Sequence, residues 1–116
     1  MKKYMLLLHD NTAGFADVSP EQMQQVIQKY MAWGERLRTA GIITDGQKLT
    51  DEPGKVVRKQ NGQVKAIDGP YSETKEVLGG YYTINAESYD QAIQRASDCP
   101  HLEYGGTIEV REIDAM

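Results

Sequence analysis

Residues 4–8 read YMLLL, and this run places the strongest constraint on the fold of the 116-residue chain. Its length is typical of a strand and too short for a helix. Because successive side chains of a strand point to opposite faces, an uninterrupted apolar run predicts a strand buried on both faces of its sheet. Any fold for this chain must therefore cover both sides of that sheet.

A long amphipathic helix is predicted over residues 20–40. Ser19 and Gln22 have the spacing of a capping box, and Pro20 suits the first helical position. Gly34 lies on the inner face, where its missing side chain is expected to let the helix approach the sheet closely. Gly41 is expected to end the helix. The apolar stripe consists of residues at helical spacing: Met23, Val26, Ile27, Tyr30, Trp33, Gly34 and Leu37.

Asn61-Gly62 is the clearest turn signal in the chain. Asn-Gly is the preferred pair for a type I′ hairpin, and residues 55–59 and 64–67 flank it as short strands. Neither side of this hairpin is strongly apolar. We therefore expect it to project from the core or to lie along an edge of the sheet.

The order of elements predicts the fold class. Leaving the hairpin aside, the elements alternate as β-α-β-β-α-β, which indicates an α+β fold with a ferredoxin-like antiparallel sheet, both helices on one face and an inserted β-hairpin. The length fits one domain over residues 1–116. The remaining elements are a second helix, which begins after Ser88 and ends by Pro100, and strands at residues 42–49, 78–86 and 107–113.

Two helices cover only one face of such a sheet, so something else must cover the second face. The hairpin is one candidate and a second copy of the chain is the other. We predict a homodimer, a dimeric α/β-barrel-like assembly, because self-association covers an exposed patch without additional sequence. Its partly polar interior would enclose Tyr81, Thr83, Asn85, Glu109 and Arg111.

Composition excludes several classes of function. The net charge of −4 argues against direct binding to nucleic acid, which favours a basic surface. No apolar run approaches the ~20 residues that cross a bilayer, so no membrane association is expected. The single cysteine, Cys99, excludes an internal disulfide and predicts a cytoplasmic location.

Residues 68–82 read DGPYSETKEVLGGYY. This segment resembles the signature of the YCII-related family, specifically of its DGPF-motif branch, with Tyr71 in place of the phenylalanine. The resemblance extends over nearly the whole chain and includes the opening residues 4–7, the helix start at residues 19–21 and the closing residues 106–111. Within this segment, residues 71–77 are expected to form a polar connection before the next strand.

The resemblance implies a ferredoxin-like α/β fold that pairs into a dimer. Some members of the wider family carry a His–Asp pair beside a pocket, with the histidine on the first helix. Residues 20–40 of this chain contain no histidine, so that pair is not transferred to it. Members of the DGPF branch are associated with extracytoplasmic-function sigma factors, which implies an accessory role in transcription control.

The motif also suggests a ligand site. Glu73, Lys75 and Glu76 place two carboxylates and an ammonium group close together, which can shift a carboxylate pKa if the cluster faces a cleft. The alternative is a turn with solvated charges. Tyr81 either lies in the core or an interface or binds a ligand through its phenol. The candidate ligand-pocket residues are Asp68, Glu73, Lys75, Glu76, Tyr81 and Arg111.

The other chemically active residues give weaker signals. His9 and Asp10 are adjacent in a strand and point to opposite faces, so they are not expected to form a catalytic pair, although His9 can meet Glu109 or Arg111 on a neighbouring strand. No cofactor is expected, because Gly79-Gly80 lacks the spacing of a phosphate-binding loop. No metal is expected either, since no second cluster completes a zinc site with Cys99, His101 and Glu103.

Two functions remain open at this point. The first is a dimeric accessory or regulatory protein that acts by contact with another protein, such as a sigma factor. The alternative is a small-molecule-binding protein, or an enzyme that uses acid–base residues, with its pocket at the sheet and dimer interface. The sequence does not decide whether the chain is an enzyme.

Overall fold

The computed structural model describes residues 1–11, 18–69 and 76–116. Within these residues the chain forms six strands, two α-helices and one 3-10 turn. In chain order they are β1 (Lys2–Asn11), α1 (Pro20–Thr39), β2 (Ile43–Lys48), β3 (Lys55–Gln60), β4 (Gln63–Asp68), β5 (Glu76–Ala86), α2 (Tyr89–Ala96), the 3-10 turn (Pro100–Tyr104) and β6 (Thr107–Glu112).

Four of the strands form an antiparallel sheet in the order β2-β5-β1-β6. β1 is therefore a central strand: its Leu6 lies opposite Tyr82 of β5 on one side and Val110 of β6 on the other. This strand order, with two helices connecting the strands, is consistent with a ferredoxin-like arrangement. The predicted α+β class is confirmed.

The two faces of β1 have different surroundings. Tyr4, Leu6 and Leu8 are buried on the face that the helices cover, whereas Met5 and Leu7 are half-buried on the other face. We call that second side of the four-stranded sheet the open face. Within the described part of the chain, the apolar strand that the sequence predicts to be buried on both faces is fully covered on one side only.

Both helices pack on the same face of the sheet. α1 begins with the predicted capping box, in which Ser19 Oγ accepts a hydrogen bond from the Gln22 amide at 3.2 Å and the Gln22 side chain accepts one from the Ser19 amide at 3.0 Å. The Trp33 indole meets the Tyr82 ring edge-on, with 5.2 Å between centroids. The shared core also contains Leu37 of α1, Ala92 and Ala96 of α2, and Tyr4, Leu6, Ile43 and Ile84 of the sheet.

Gly34 does not mark a close approach of helix and sheet, and that prediction was wrong. The residue is buried, but a Cβ atom added to it would meet no atom within 4 Å beyond the neighbouring helix backbone. The adjacent Trp33 side chain, packed on Tyr82, sets the spacing between α1 and the sheet at this point.

A β-bulge at Gly79 changes which side chains face outward. Leu8 lies opposite Gly80, but the next residue, His9, lies opposite Leu78, so Gly79 is an extra residue in β5. Beyond the bulge, Glu76 and Leu78 therefore lie on the open face. β5 begins at Glu76, so the last two residues of the expected polar connection belong to the strand.

β3 and β4 form a separate two-stranded sheet, residues 55–68, which we call the ribbon. Asn61 and Gly62 connect its strands with positive φ angles of 52° and 78°, as a type I′ turn requires. Every ribbon residue except Val56 is exposed, and the ribbon makes at most marginal contact with the other helices and strands. It therefore does not cover the open face.

The empty space beside Gly34 yields a stability prediction. Gly34→Ala should raise the free energy of unfolding by about 0.5–1 kcal/mol, because alanine has a higher helix propensity and its methyl group displaces nothing. The measurement is urea denaturation followed by circular dichroism. Gly41→Ala is the matched control: its Cβ also meets open space, but a φ of +75° makes alanine strained there and should destabilise the chain. A destabilised Gly34→Ala variant would mean that the space beside α1 at this position is not open.

The Tyr4 hydroxyl yields a second stability prediction. Tyr4 is fully buried, and among the described residues its hydroxyl finds no hydrogen-bond partner. Tyr4→Phe should leave the free energy of unfolding unchanged or raise it by up to about 1 kcal/mol. In the control, Tyr30→Phe removes a hydroxyl that is bonded to His101 Nδ1 at 2.8 Å and should lose about 1–3 kcal/mol. Equal losses in the two variants would refute the assignment of an unpaired hydroxyl at Tyr4.

Candidate functional site

Side chains of all four strands meet on the open face in two rows that cross the sheet. Strand register defines both rows, since residues directly opposite one another project to the same side. The first row consists of Gln47, Tyr81, Leu7 and Glu109, and the second consists of Asp45, Thr83, Met5 and Arg111. In each row an apolar side chain of β1 lies between polar side chains of β5 and β6.

The β6 end of the rows carries a charged group of three side chains. His9 Nε2 lies 3.1 Å from one Glu109 carboxylate oxygen, and the Arg111 guanidinium lies 3.4 Å from the other. The hydrogen bond from His9, with further help from Arg111, holds the pKa of Glu109 below its usual range. With Glu109 ionised and Nε2–H donating to it, a neutral His9 keeps Nδ1 as a hydrogen-bond acceptor.

The β2 end of the rows carries a neutral phenol beside a carboxylate. The Tyr81 hydroxyl donates a hydrogen bond to Asp45 Oδ2 at 3.1 Å. This bond to Asp45, together with partial desolvation, raises the pKa of Tyr81, so the phenol keeps its proton at neutral pH.

An apolar floor separates the two polar groups. Tyr81 and Glu109 both lie opposite Leu7, one on each side of β1. Neighbouring strands are about 4.8 Å apart, so the Tyr81 and Glu109 backbones are about 10 Å apart across the sheet. Met5 and Leu7 form the floor between them.

The structure brings together only part of the predicted ligand-pocket set. Tyr81 and Arg111 occupy adjacent rows of the open face. Glu76 lies at the end of the same face, where its carboxylate accepts a hydrogen bond from the Thr107 hydroxyl at 3.2 Å. Asp68 lies at the base of the ribbon in an ion pair with Lys55 and is not part of the rows. Glu73 and Lys75 lie outside the described residues.

Asp45 is a site residue that the sequence pattern did not predict. Simple alternation along β2 places Asp45 on the same side as the buried Ile43. The register shifts between Ile43 and Asp45, because Thr44 is an extra residue there, and Asp45 consequently projects onto the open face. The small, polar sequence around Gly46 was the available signal of an irregular strand, but it does not reveal which side chain changes face.

A second polar cluster lies on the helix-covered side, around His101. This residue is 3% exposed. Its Nε2 donates a hydrogen bond to the His9 carbonyl at 2.8 Å, and its Nδ1 accepts one from the Tyr30 hydroxyl at 2.8 Å. The Asp10 carboxylate lies 3.7 Å from Nδ1. Since both ring nitrogens have partners, the cluster fixes the end of β1, and with it the backbone that carries His9.

The three residues considered for a metal have separate surroundings. Cys99 is buried in the core, where burial raises the pKa of its thiol to about 11. Glu103 lies on the surface, 3.4 Å from the Lys29 ammonium. Within residues 1–11, 18–69 and 76–116, no group of three or more His, Cys, Asp or Glu side chains is arranged to hold a metal ion. Neither α1 nor α2 is long and apolar enough to span a membrane.

The Glu109 interactions predict a pH dependence of stability. Because the folded-state pKa of Glu109 is lowered, the unfolded chain takes up the proton first as the pH falls. The stabilisation lost in Glu109→Gln should therefore be full above about pH 4.5, the ordinary glutamate value, and should disappear as the pH falls through the folded-state pKa. Denaturation of the wild type and of Glu109→Gln from about pH 6 to about pH 3 measures the difference in their free energy of unfolding.

Glu112→Gln is the control for that experiment. Glu112 lies on the same strand but on the opposite side, 4.0 Å from Lys2. Its substitution removes one partner of an exposed ion pair, so it should cost less free energy of unfolding at neutral pH than Glu109→Gln. A Glu109→Gln difference that does not change with pH would mean that His9 and Arg111 do not stabilise the charged carboxylate.

Comparison with known proteins places the chain in a family. The family model of the YCII-related domain matches residues 2–116. An uncharacterized protein of Rhizobium meliloti (strain 1021) is 28% identical over 112 residues, which cover 95% of this chain and 90% of that protein. The narrower resemblance to the DGPF branch stays a prediction. Since the family match spans nearly every residue, from the first strand to the last, this chain belongs to the YCII-related family.

Proposed function

We propose that the chain is a homodimer whose two open faces meet, and that the space between them binds a small organic molecule. The observation that carries this proposal is the floor of Met5 and Leu7, with fixed polar groups on either side of it. No described helix or strand of the chain itself covers that floor.

A second copy is the cover that the fold favours. Met5 and Leu7 are only half-buried. Removing this second apolar face of the central strand from water would stabilise the protein. A two-fold axis through the open face would use the same patch on both protomers, as most dimers of small proteins do. It would also duplicate the polar groups around the enclosed space.

The chemistry of the rows indicates the class of ligand. Its apolar body would lie on Met5 and Leu7, and its polar groups would reach Tyr81 and Asp45 on one side and the charged group on the other. His9, oriented by Glu109, supplies a nitrogen that can accept a proton, which is the arrangement used in acid–base catalysis. The open face therefore binds the molecule, and a reaction would follow only if the bound molecule presents a proton to His9.

An accessory role with a sigma factor, as the DGPF resemblance implies, is the second candidate. The observation that favours it is an exposed apolar pair on α1: Ile27 and Met31 are 50% and 68% exposed and lie one helical turn apart. Such a pair can enter a groove of a partner protein. The single cysteine remains the reason to propose a cytoplasmic location for either role.

Native mass spectrometry of the chain purified gently from its own host tests the first proposal. We expect a dimer that carries an additional mass of a few hundred daltons. Tyr81→Phe should remain dimeric but lose that mass, because the substitution keeps the ring and removes only the hydroxyl group that faces the site. A monomer would contradict the homodimer, and a dimer bound to a sigma factor and without a small molecule would favour the accessory role.

A pair of variants locates the dimer interface in the same experiment. Leu7→Asp should give a monomer, because it places a charge at the centre of the open face. Ile93→Asp introduces the same charge at a 54% exposed position of α2, on the helix-covered side, and should stay dimeric. Far-ultraviolet circular dichroism shows whether both variants are folded. A dimeric Leu7→Asp variant would place the interface elsewhere.

A further inference from the structure

Among the described residues, the ribbon has little contact with the rest of its chain. All its residues except Val56 are exposed, and both of its edges lack a neighbouring strand among the described residues. A two-stranded hairpin is marginally stable in water unless it packs against something else. At its base, Gly69 donates a hydrogen bond to the Gly54 carbonyl at 3.0 Å and Lys55 pairs with Asp68.

One face of the ribbon nevertheless carries apolar side chains. Val57 lies opposite Ala66, and Val64 lies opposite Lys59 in the next pair that projects to the same side. Val57 and Val64 are 66% and 71% exposed. β-branched side chains on a hairpin usually pack against a second surface, and the described part of the ribbon's own chain provides none.

The ribbon also extends the molecule. The radius of gyration is 16.2 Å, and the principal extents are 48 × 44 × 19 Å. A compact chain of this length has a radius of gyration of about 13 Å. The ribbon follows the end of β2 and precedes the start of β5, so it projects beyond that end of the four-stranded sheet.

The charge of the ribbon is opposite to that of the rest of the chain. It carries four cationic residues, Lys55, Arg58, Lys59 and Lys65, and one carboxylate, Asp68, which gives a net charge of +3. The whole chain has a net charge of −4, so the remaining residues have a net charge of −7. The rest of a second copy, which we call its body, therefore carries a net acidic charge opposite to that of the ribbon.

We infer that the ribbon is an arm that packs on the acidic body of a second copy of this chain. The inference rests on the proposed homodimer and adds a second contact to it. In a two-fold dimer each protomer gives an arm and receives one, so both ribbons are covered by a single arrangement. The arm explains why the segment between β2 and β5 forms a basic hairpin instead of a short turn.

The test reverses the charge of the arm at two exposed positions. K59E/K65E should weaken dimerisation by roughly tenfold or more at low salt, because like charges would then meet across the contact. Sedimentation equilibrium measures the dissociation constant. The control, K2E/R38E, changes the net charge by the same amount at exposed positions outside the ribbon and should have a much smaller effect. Salt should weaken the wild-type dimer and have less effect on K59E/K65E.

The outcomes separate the arm from the homodimer itself. A dimer of K59E/K65E as tight as that of the wild type would refute the arm and leave the open-face dimer standing. A wild-type chain that is monomeric at every concentration would refute both. Loss of binding to a polyanion column in K59E/K65E, with dimerisation unchanged, would overturn the inference in favour of a nucleic acid or another polyanion as the occupant.

Discussion

The pairing of β1 on both of its edges is the interaction on which the rest of the structure depends. β5 and β6 are held in one sheet only because each is hydrogen-bonded to β1. The helix-covered side of β1 supplies Tyr4, Leu6 and Leu8 to the core, and its other side supplies the floor of the candidate site. His101 adds a further constraint, since its hydrogen bond to the His9 carbonyl fixes the end of the strand from the helix-covered side. The position of the His9 side chain is thus determined by packing on both faces of the sheet.

Elements with strong local chemistry could be predicted from the sequence. The capping box of Ser19 and Gln22 sets the start of α1, and Asn61-Gly62 sets the turn of the ribbon, because in both places a few neighbouring residues determine the backbone. The α+β class followed from the order of such elements. The contact between His9 and Glu109 could also be anticipated, because it requires only that the first and last strands are neighbours.

The remainder of the site depends on events that periodicity does not show. A single extra residue in β2 moves Asp45 to the open face, and another in β5, Gly79, moves Glu76 and Leu78 there. Each bulge reverses the alternation that a strand pattern assumes, and its position is set by the neighbouring strand. The bond between Tyr30 and His101 joins residues 71 positions apart, so no local pattern contains it. Gly34 illustrates the same limit, since the space around it depends on how Trp33 packs.

The pairing of β1 with β6 also has a consequence for how the molecule is made. Leu6 lies opposite Val110, which follows it by 104 residues, so this part of the sheet closes only after the residues between them have left the ribosome. The contacts within α1 and within the ribbon are local, so both can form while synthesis continues. β1, in contrast, has one edge unpaired until β6 is made. During that interval the apolar residues 4–8 have an unpaired strand edge, which favours aggregation. The time to synthesise the residues between β1 and β6 therefore sets how long β1 stays vulnerable.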